Sequence, residues 1–150
     1  MSDKYFDNFR KIVNICKENN IKLIVFISPS HAIQWESIKV TGEFKTWENW
    51  KRKAVEVTPI WDFSGYNSIT TETLQDVMEN YADSSHYAKP VGDLVLNRIL
   101  GYQENKVPAD FGILITPENI ESHLAKIRAD REEWVKNNPN ELKLVQDLEK

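Results

Sequence analysis

The run Lys22-Leu23-Ile24-Val25-Phe26-Ile27-Ser28 places five consecutive apolar side chains between two polar ones. It constrains the fold more than any other stretch. A short unbroken apolar run has neither the alternation of a half-exposed strand nor the spacing of an amphipathic helix. It suits a strand buried on both faces, as in a parallel sheet. Just upstream, Tyr5, Phe6, Phe9, Ile12, Val13 and Cys16 recur at helical spacing over residues 3–19, and Asn19-Asn20 supplies a stop. Helix, tight turn and buried strand together open an α/β domain.

The rest of the chain repeats the alternation loosely. Residues 33–45 predict a short helix and a turn at Gly42. A helix over residues 46–56 carries Trp47, Trp50 and Ala54 on one face, with Thr46 as its cap. Pro59 to Gly65 reads as a second short strand ending in a turn. Residues 70–81 predict a helix with Leu74, Val77 and Met78 inward. Pro90 opens a helix burying Val91, Leu94, Val95 and Ile99, which Gly101 closes. A short edge strand is expected near 112–115. Thr116-Pro117-Glu118 then starts a helix with Ile120, Leu124, Ile127 and Trp134 on one side. Asn138-Pro139 separates it from a last helix carrying Leu142, Val145 and Leu148. The expected division is an α/β unit over residues 1–116 and a helical extension over 117–150, packed on it or free as an arm.

At 150 residues with 41% hydrophobic and 28% charged residues, the chain can bury a substantial core. A net charge of -4 argues against a general nucleic-acid surface. The cluster Lys51-Arg52-Lys53 reads as a solvated helix face. The single cysteine, Cys16, excludes an internal disulfide and falls on the apolar helix face, where a core role is expected. No apolar run approaches the ~20 residues that span a membrane, and the N-terminal residues lack a signal-peptide layout.

Chemistry concentrates at Asp83-Ser84-Ser85-His86-Tyr87. A carboxylate three residues before an imidazole can hold it in one tautomer as a general base. The bland alternative is an aspartate closing a turn beside an exposed histidine. Ser30 and His31 follow Pro29 at the end of the first strand, where open α/β sheets place ligands. They and Trp35 are candidates for substrate contact; the alternatives are a turn serine, a partly exposed histidine and a core tryptophan. Trp47, Trp50 and Trp61 read more simply as packing residues. Asp62, Asp83, His31 and His86 match no metal-ligand spacing, and no cofactor is expected. His123, after Ser122 on a helix, reads as solvated, and Ser64, Ser84 and Ser85 have weaker claims as nucleophiles than Ser30.

The order of helix, strand ending in Ser28-Pro29, helix, short strand ending in Asp62-Phe63-Ser64, then Asp83-x-x-His86 with Gly92 six residues later resembles the C-terminal half of SGNH-type hydrolases. It is most similar to the branch of bacterial cell-envelope polysaccharide O-acetyltransferases. The resemblance covers roughly residues 5–102. It implies a truncated flavodoxin-like, three-layer fold with few parallel strands. It also implies serine-based acyl transfer with His86 as base and Asp83 as its orienter, an acyl ester or polysaccharide as substrate, and a cell-envelope location for a longer parent. The family's nucleophilic serine and oxyanion groups precede the strand at 22–28, where this sequence has only a helix. Gly65-Tyr66-Asn67 imitates one oxyanion element but follows the wrong strand. The expectation is therefore half a site: a piece of a longer protein, or a short relative, inactive alone. The contrasting reading is a non-catalytic module that pairs with another chain or with itself as a homo-oligomer through unpaired strand edges.

Overall fold

A computed structural model describes residues 3–148. Helix α1 spans Asp3–Glu18 and stops at Asn19-Asn20 as expected. The Asn19 side chain bonds the Ile15 carbonyl at 2.8 Å, and Asn20 takes a left-handed φ of 54°. Strand β1 is Phe26–Ile27, α2 is Ala32–Val40, α3 is Phe44–Val55 and β2 is Ile60–Asp62. Helix α4 spans Lys89–Leu100, β3 is Ile113–Ile115, α5 is Ile120–Asn137 and α6 is Pro139–Leu148. Gly101 closes α4 at φ 63°, with Tyr102 N–H reaching the Asn97 carbonyl at 2.9 Å.

The sheet runs in the order β1-β2-β3. Strands β1 and β2 are parallel, pairing Phe26 with Trp61 and Ile27 with Asp62. Strand β3 joins the far side of β2 in antiparallel register, Ile60 opposite Ile115 and Asp62 opposite Ile113. The fold is thus mixed α/β with a small mixed sheet, and β2, as the central strand, carries one side chain to each face in turn.

Ile60 points to a core built with Phe6 of α1, Ala54 and Val55 of α3, Ile115, and Ile120 and Leu124 of α5. Phe63 and half-buried Trp61 belong to a second core with Val91 and Val95 of α4, Tyr81, Val107 and Phe111. A third cluster, Ala32, Trp35, Phe44, Tyr66, Ile127 and Trp134, joins α2, α3 and α5. Each such side chain taken wholly out of water contributes about 1.5–3 kcal/mol. The segment 117–148 packs back on the body: α5 lies on α3, and α6 on α2.

Three local expectations are corrected. Within the run at 22–28 only Phe26–Ile27 is strand, and it lies at the edge of the sheet, with Leu23 40% and Phe26 44% exposed. Its length and apolarity identify a strand, but only pairing decides whether neighbours cover it. Residues 70–81 form no helix. There the Glu72 carboxylate accepts from the amides of Glu79 and Asn80 at 2.7 and 2.9 Å, and Thr70 and Thr71 hydroxyls bond nearby carbonyls. Those bonds offer the backbone an alternative to a helical ladder, and Val77 is left in solvent. The Lys51-Arg52-Lys53 cluster is not a solvated face, because Lys51 is fully buried. Cys16 is half-buried, at the margin of the core. No helix among the described residues is long and apolar enough to cross a membrane.

Candidate functional site

The segment Asp83–His86 is the tip of a hairpin. Tyr81 and Tyr87 form an antiparallel bridge at its base, and the Ala82 amide bonds the His86 carbonyl at 2.8 Å. The tip is anchored to the loop after β1, where His31 N–H donates to the Ser84 carbonyl at 2.9 Å and the Tyr81 hydroxyl donates to the Pro29 carbonyl at 2.7 Å. The pair therefore lies beyond the carboxyl end of β1, the usual place for a ligand on an α/β sheet.

Within the tip, Asp83 Oδ2 is 2.8 Å from His86 Nδ1. The other carboxylate oxygen accepts from the amides of Ser85 and His86 at 2.8 and 2.9 Å and from the Ser85 hydroxyl at 2.9 Å. The Ser85 amide, then the His86 ring and the Ser85 hydroxyl, hold the Asp83 carboxyl below the usual carboxylate range. A carboxylate on Nδ1 favours the tautomer that leaves Nε2 as the basic nitrogen. The His86 and Asp83 side chains are 77% and 56% exposed. No serine hydroxyl among the described residues bonds Nε2; Ser85 touches only Nδ1, at 3.1 Å.

The other sequence candidates are placed differently. Ser30 is half-buried, and its carbonyl accepts the Trp35 indole N–H at 3.2 Å. His31 is buried as the N-cap of α2: its Nδ1 accepts the Ile33 amide at 3.3 Å and its Nε2 donates to the Glu72 carbonyl at 2.7 Å. Burial, opposed by that bond and by the Glu72 and Glu141 charges, pushes its pKa down. Trp35 is a core residue against Trp47, ring centroids 4.5 Å apart. His31 and Trp35 are both buried, with their ring nitrogens bonded within the chain. Gly65-Tyr66-Asn67 also serves the fold: Asn67 Oδ1 accepts from the amides of Ile69 and Thr70 at 3.1 and 3.0 Å. Asp62, Asp83, His31 and His86 do not converge, and no group of three or more His, Cys, Asp or Glu among the described residues is disposed to hold a metal ion.

A second polar cluster lies between β2, α3 and α5. Lys51 Nζ bonds Asp62 Oδ2 and, at 2.8 Å, Ser64 Oγ, while sitting 3.5 Å from the centroid of the Trp47 ring. Asp62 Oδ1 accepts from the Ser64 amide and hydroxyl at 2.9 and 2.6 Å. His123 Nε2 reaches Asp62 Oδ2 at 2.8 Å with its side chain only 10% exposed, so His123 is not the solvated residue expected. Burial pushes the Lys51 ammonium down to about 8 against the opposing pull of Asp62. Burial would push the Asp62 carboxyl up, but Lys51 and His123 together outweigh it and hold the group below the ordinary range. A readable signal existed: Lys51 falls between Trp47 and Ala54 on the apolar stripe of α3, and His123 between Ile120 and Ile127 on that of α5.

In comparisons with known proteins, no family model, no curated protein and no solved structure matches this chain.

Proposed function

We propose that this chain carries the general-base half of an acyl-ester hydrolase or O-acyltransferase site, on a truncated flavodoxin-like (SGNH-like) frame. One observation carries the reading: a carboxylate-oriented imidazole stands exposed beyond the end of a parallel strand. His86 Nε2 would take a proton from a hydroxyl nucleophile while Asp83 stabilises the imidazolium that forms. The nucleophile and its oxyanion donors would come from a segment added at β1. That strand has β2 on one side only, and the side chain of Phe26 in it, with those of Ile21 and Leu23 before it, is exposed. A polysaccharide acyl ester is the substrate class that the resemblance implies.

The test is hydrolysis of p-nitrophenyl acetate by the chain alone and by the chain joined to the polypeptide encoded immediately upstream. The expected result is background hydrolysis alone and turnover in the joined form, lost in His86→Ala. Activity that survives His86→Ala, or a joined form inert toward aryl and polysaccharide acyl esters alike, refutes the reading.

The open edge of β1 also favours a second reading, a non-catalytic module that binds a partner strand or a second copy there. It would leave His86→Ala silent in every acyl-transfer assay and give an assembly larger than a monomer in light scattering.

A further inference from the structure

A cavity of about 680 Å³ lies apart from the Asp83–His86 pair, and none of residues 83–86 lines it. Its volume falls within the ~300–1,000 Å³ typical of small-molecule sites. One wall is a single stripe of α5, where His123, Ile127, Asp130, Trp134 and Asn137 follow at spacings of four, three, four and three. At 1.5 Å per residue, that stripe is about 21 Å long. The loop from Ser64 to Thr71, with Asp110 and Ile113, completes the lining. The space is therefore a trough that follows a helix.

The four carboxylates that line it divide into two kinds. Asp62 is compensated by the buried Lys51 ammonium, and Asp130 by Lys126, which reaches both its oxygens at 2.7 Å. Asp110 instead accepts from the amide and hydroxyl of Ser68, at 2.8 and 2.7 Å, and Glu133 from the Asn137 side-chain amide at 2.9 Å. Neutral donors leave a charge in place, so Asp110 and Glu133 give the lining two uncompensated negative charges. An anion would meet its own sign there. The neutral side chains offer a ligand little, because those of Ser64, Asn67, Ser68, Thr71, Asn137 and Asn138 already bond within the chain.

An independent feature defines what a ligand must supply. The His123 side chain is nine-tenths buried, with Nε2 committed to Asp62 at 2.8 Å. Its Nδ1 makes no hydrogen bond among the described residues, yet no fully buried side-chain nitrogen or oxygen there lacks a partner. That atom therefore opens onto the trough that His123 lines. With Nε2–H donated to the carboxylate, Nδ1 is an acceptor without a donor. One free acceptor and two anions, beside the apolar surface of Ile127 and Trp134, match positively charged N–H groups carried on an apolar chain. The Trp134 ring adds a face on which such a cation is stabilised. A bare metal ion does not fit, since no group of three or more His, Cys, Asp or Glu among the described residues is disposed to hold one.

We propose that this trough binds an aliphatic polyamine laid along α5, its ammonium groups at His123, Asp110 and Glu133 and its methylenes on Ile127 and Trp134. The site stands independently of the acyl-transfer reading, with which it shares no residue.

The experiment is an NMR titration of the whole chain with spermidine at neutral pH, reading backbone amides and isotope-labelled imidazole nitrogens. Hexaamminecobalt(III), a compact cation of equal charge that also presents N–H donors, is the control. Spermidine should give saturable shifts at residues 64–71, 110–113 and 123–137 below about 1 mM. It should also move the His123 Nδ1 resonance and bind about tenfold tighter than the control. Glu133→Gln and Asp110→Asn keep an acceptor oxygen and remove the charge, and each should weaken binding about threefold at these exposed positions. Where Asp110→Asn disturbs the fold, Glu133→Gln decides. The proposal is overturned by shifts spread over the acidic surface at large, by hexaamminecobalt binding as tightly as spermidine, by a His123 Nδ1 resonance that stays in place, or by a Glu133→Gln titration that matches the parent.

Discussion

Replacing Lys51 by methionine probes the buried heart of the molecule, because the two side chains are similar in length and the change removes mainly charge. The substitution deprives a fully buried Asp62 of its ammonium and Ser64 of a donor at 2.8 Å. Removing one partner of a buried ion pair costs about 3–5 kcal/mol, and the His123 and Ser64 bonds to Asp62 that remain place the cost toward the lower end of that range. That is a large part of the ~5–15 kcal/mol holding an ordinary domain together. At about 2–4 °C per kcal/mol for a chain of this size, the melting temperature should fall by about 6–20 °C. Urea unfolding followed by circular dichroism measures the loss, and its pH dependence identifies the cause. In the parent, the Asp62 carboxyl lies below its ordinary value of 3.8. Its contribution is therefore present above that pH and lost as pH falls, so stability rises with pH through the acid range. In Lys51→Met only His123 and Ser64 still oppose burial, so the same carboxyl moves up from its position in the parent and contributes less stability above that pH. The deficit should thus shrink on acidification, and adding Asp62→Asn should recover part of it at pH 7. A loss under about 1 kcal/mol at pH 7, or a deficit independent of pH, refutes this account of the core.

Two further substitutions test other parts of the structure. Gly112→Ala should cost about 2–5 kcal/mol in the same unfolding assay, combining left-handed strain with overpacking: φ is +85°, and a Cβ there would stand 2.3 Å from Phe63 Cε1. His86→Ala should change the unfolding free energy by less than about 0.5 kcal/mol, as for an exposed side chain, so that any loss it causes in the p-nitrophenyl acetate assay is chemical rather than structural.

Periodicity carried the fold furthest where packing is repetitive. On α5, the spacing of Ile120, Leu124, Ile127 and Trp134 identified four side chains that are all buried. It failed where pairing or local polar chemistry decides. Ile12 and Tyr5 share the apolar pattern of Phe6 and Val13, yet only the latter two are buried. Nothing in the sequence says how wide the sheet is, and the exposure of Phe26 follows from that width. The Asp83–His86 contact was legible because three-residue spacing in a tight turn leaves few other geometries. The Lys51–Asp62–His123 cluster was not read because its members are separated by 11 and 61 positions and assemble only when α3 and α5 close over β2.

The bidentate bond from Arg131 to Glu36, at 2.7 and 2.8 Å, joins residues 95 positions apart, and the Tyr66 hydroxyl donates to the same carboxylate. During synthesis the chain emerges from its N-terminus, so α2, α3 and the sheet are exposed before α5 exists. Until then Glu36 has no guanidinium, Asp62 has no imidazole, and Ile60 and Ile115 lack the Leu124 side chain that covers them. Contacts this distant in sequence must wait for their chain closure before they stabilise anything. The elements before α5 therefore keep an unfinished apolar surface until residues 120–134 are available to cover it.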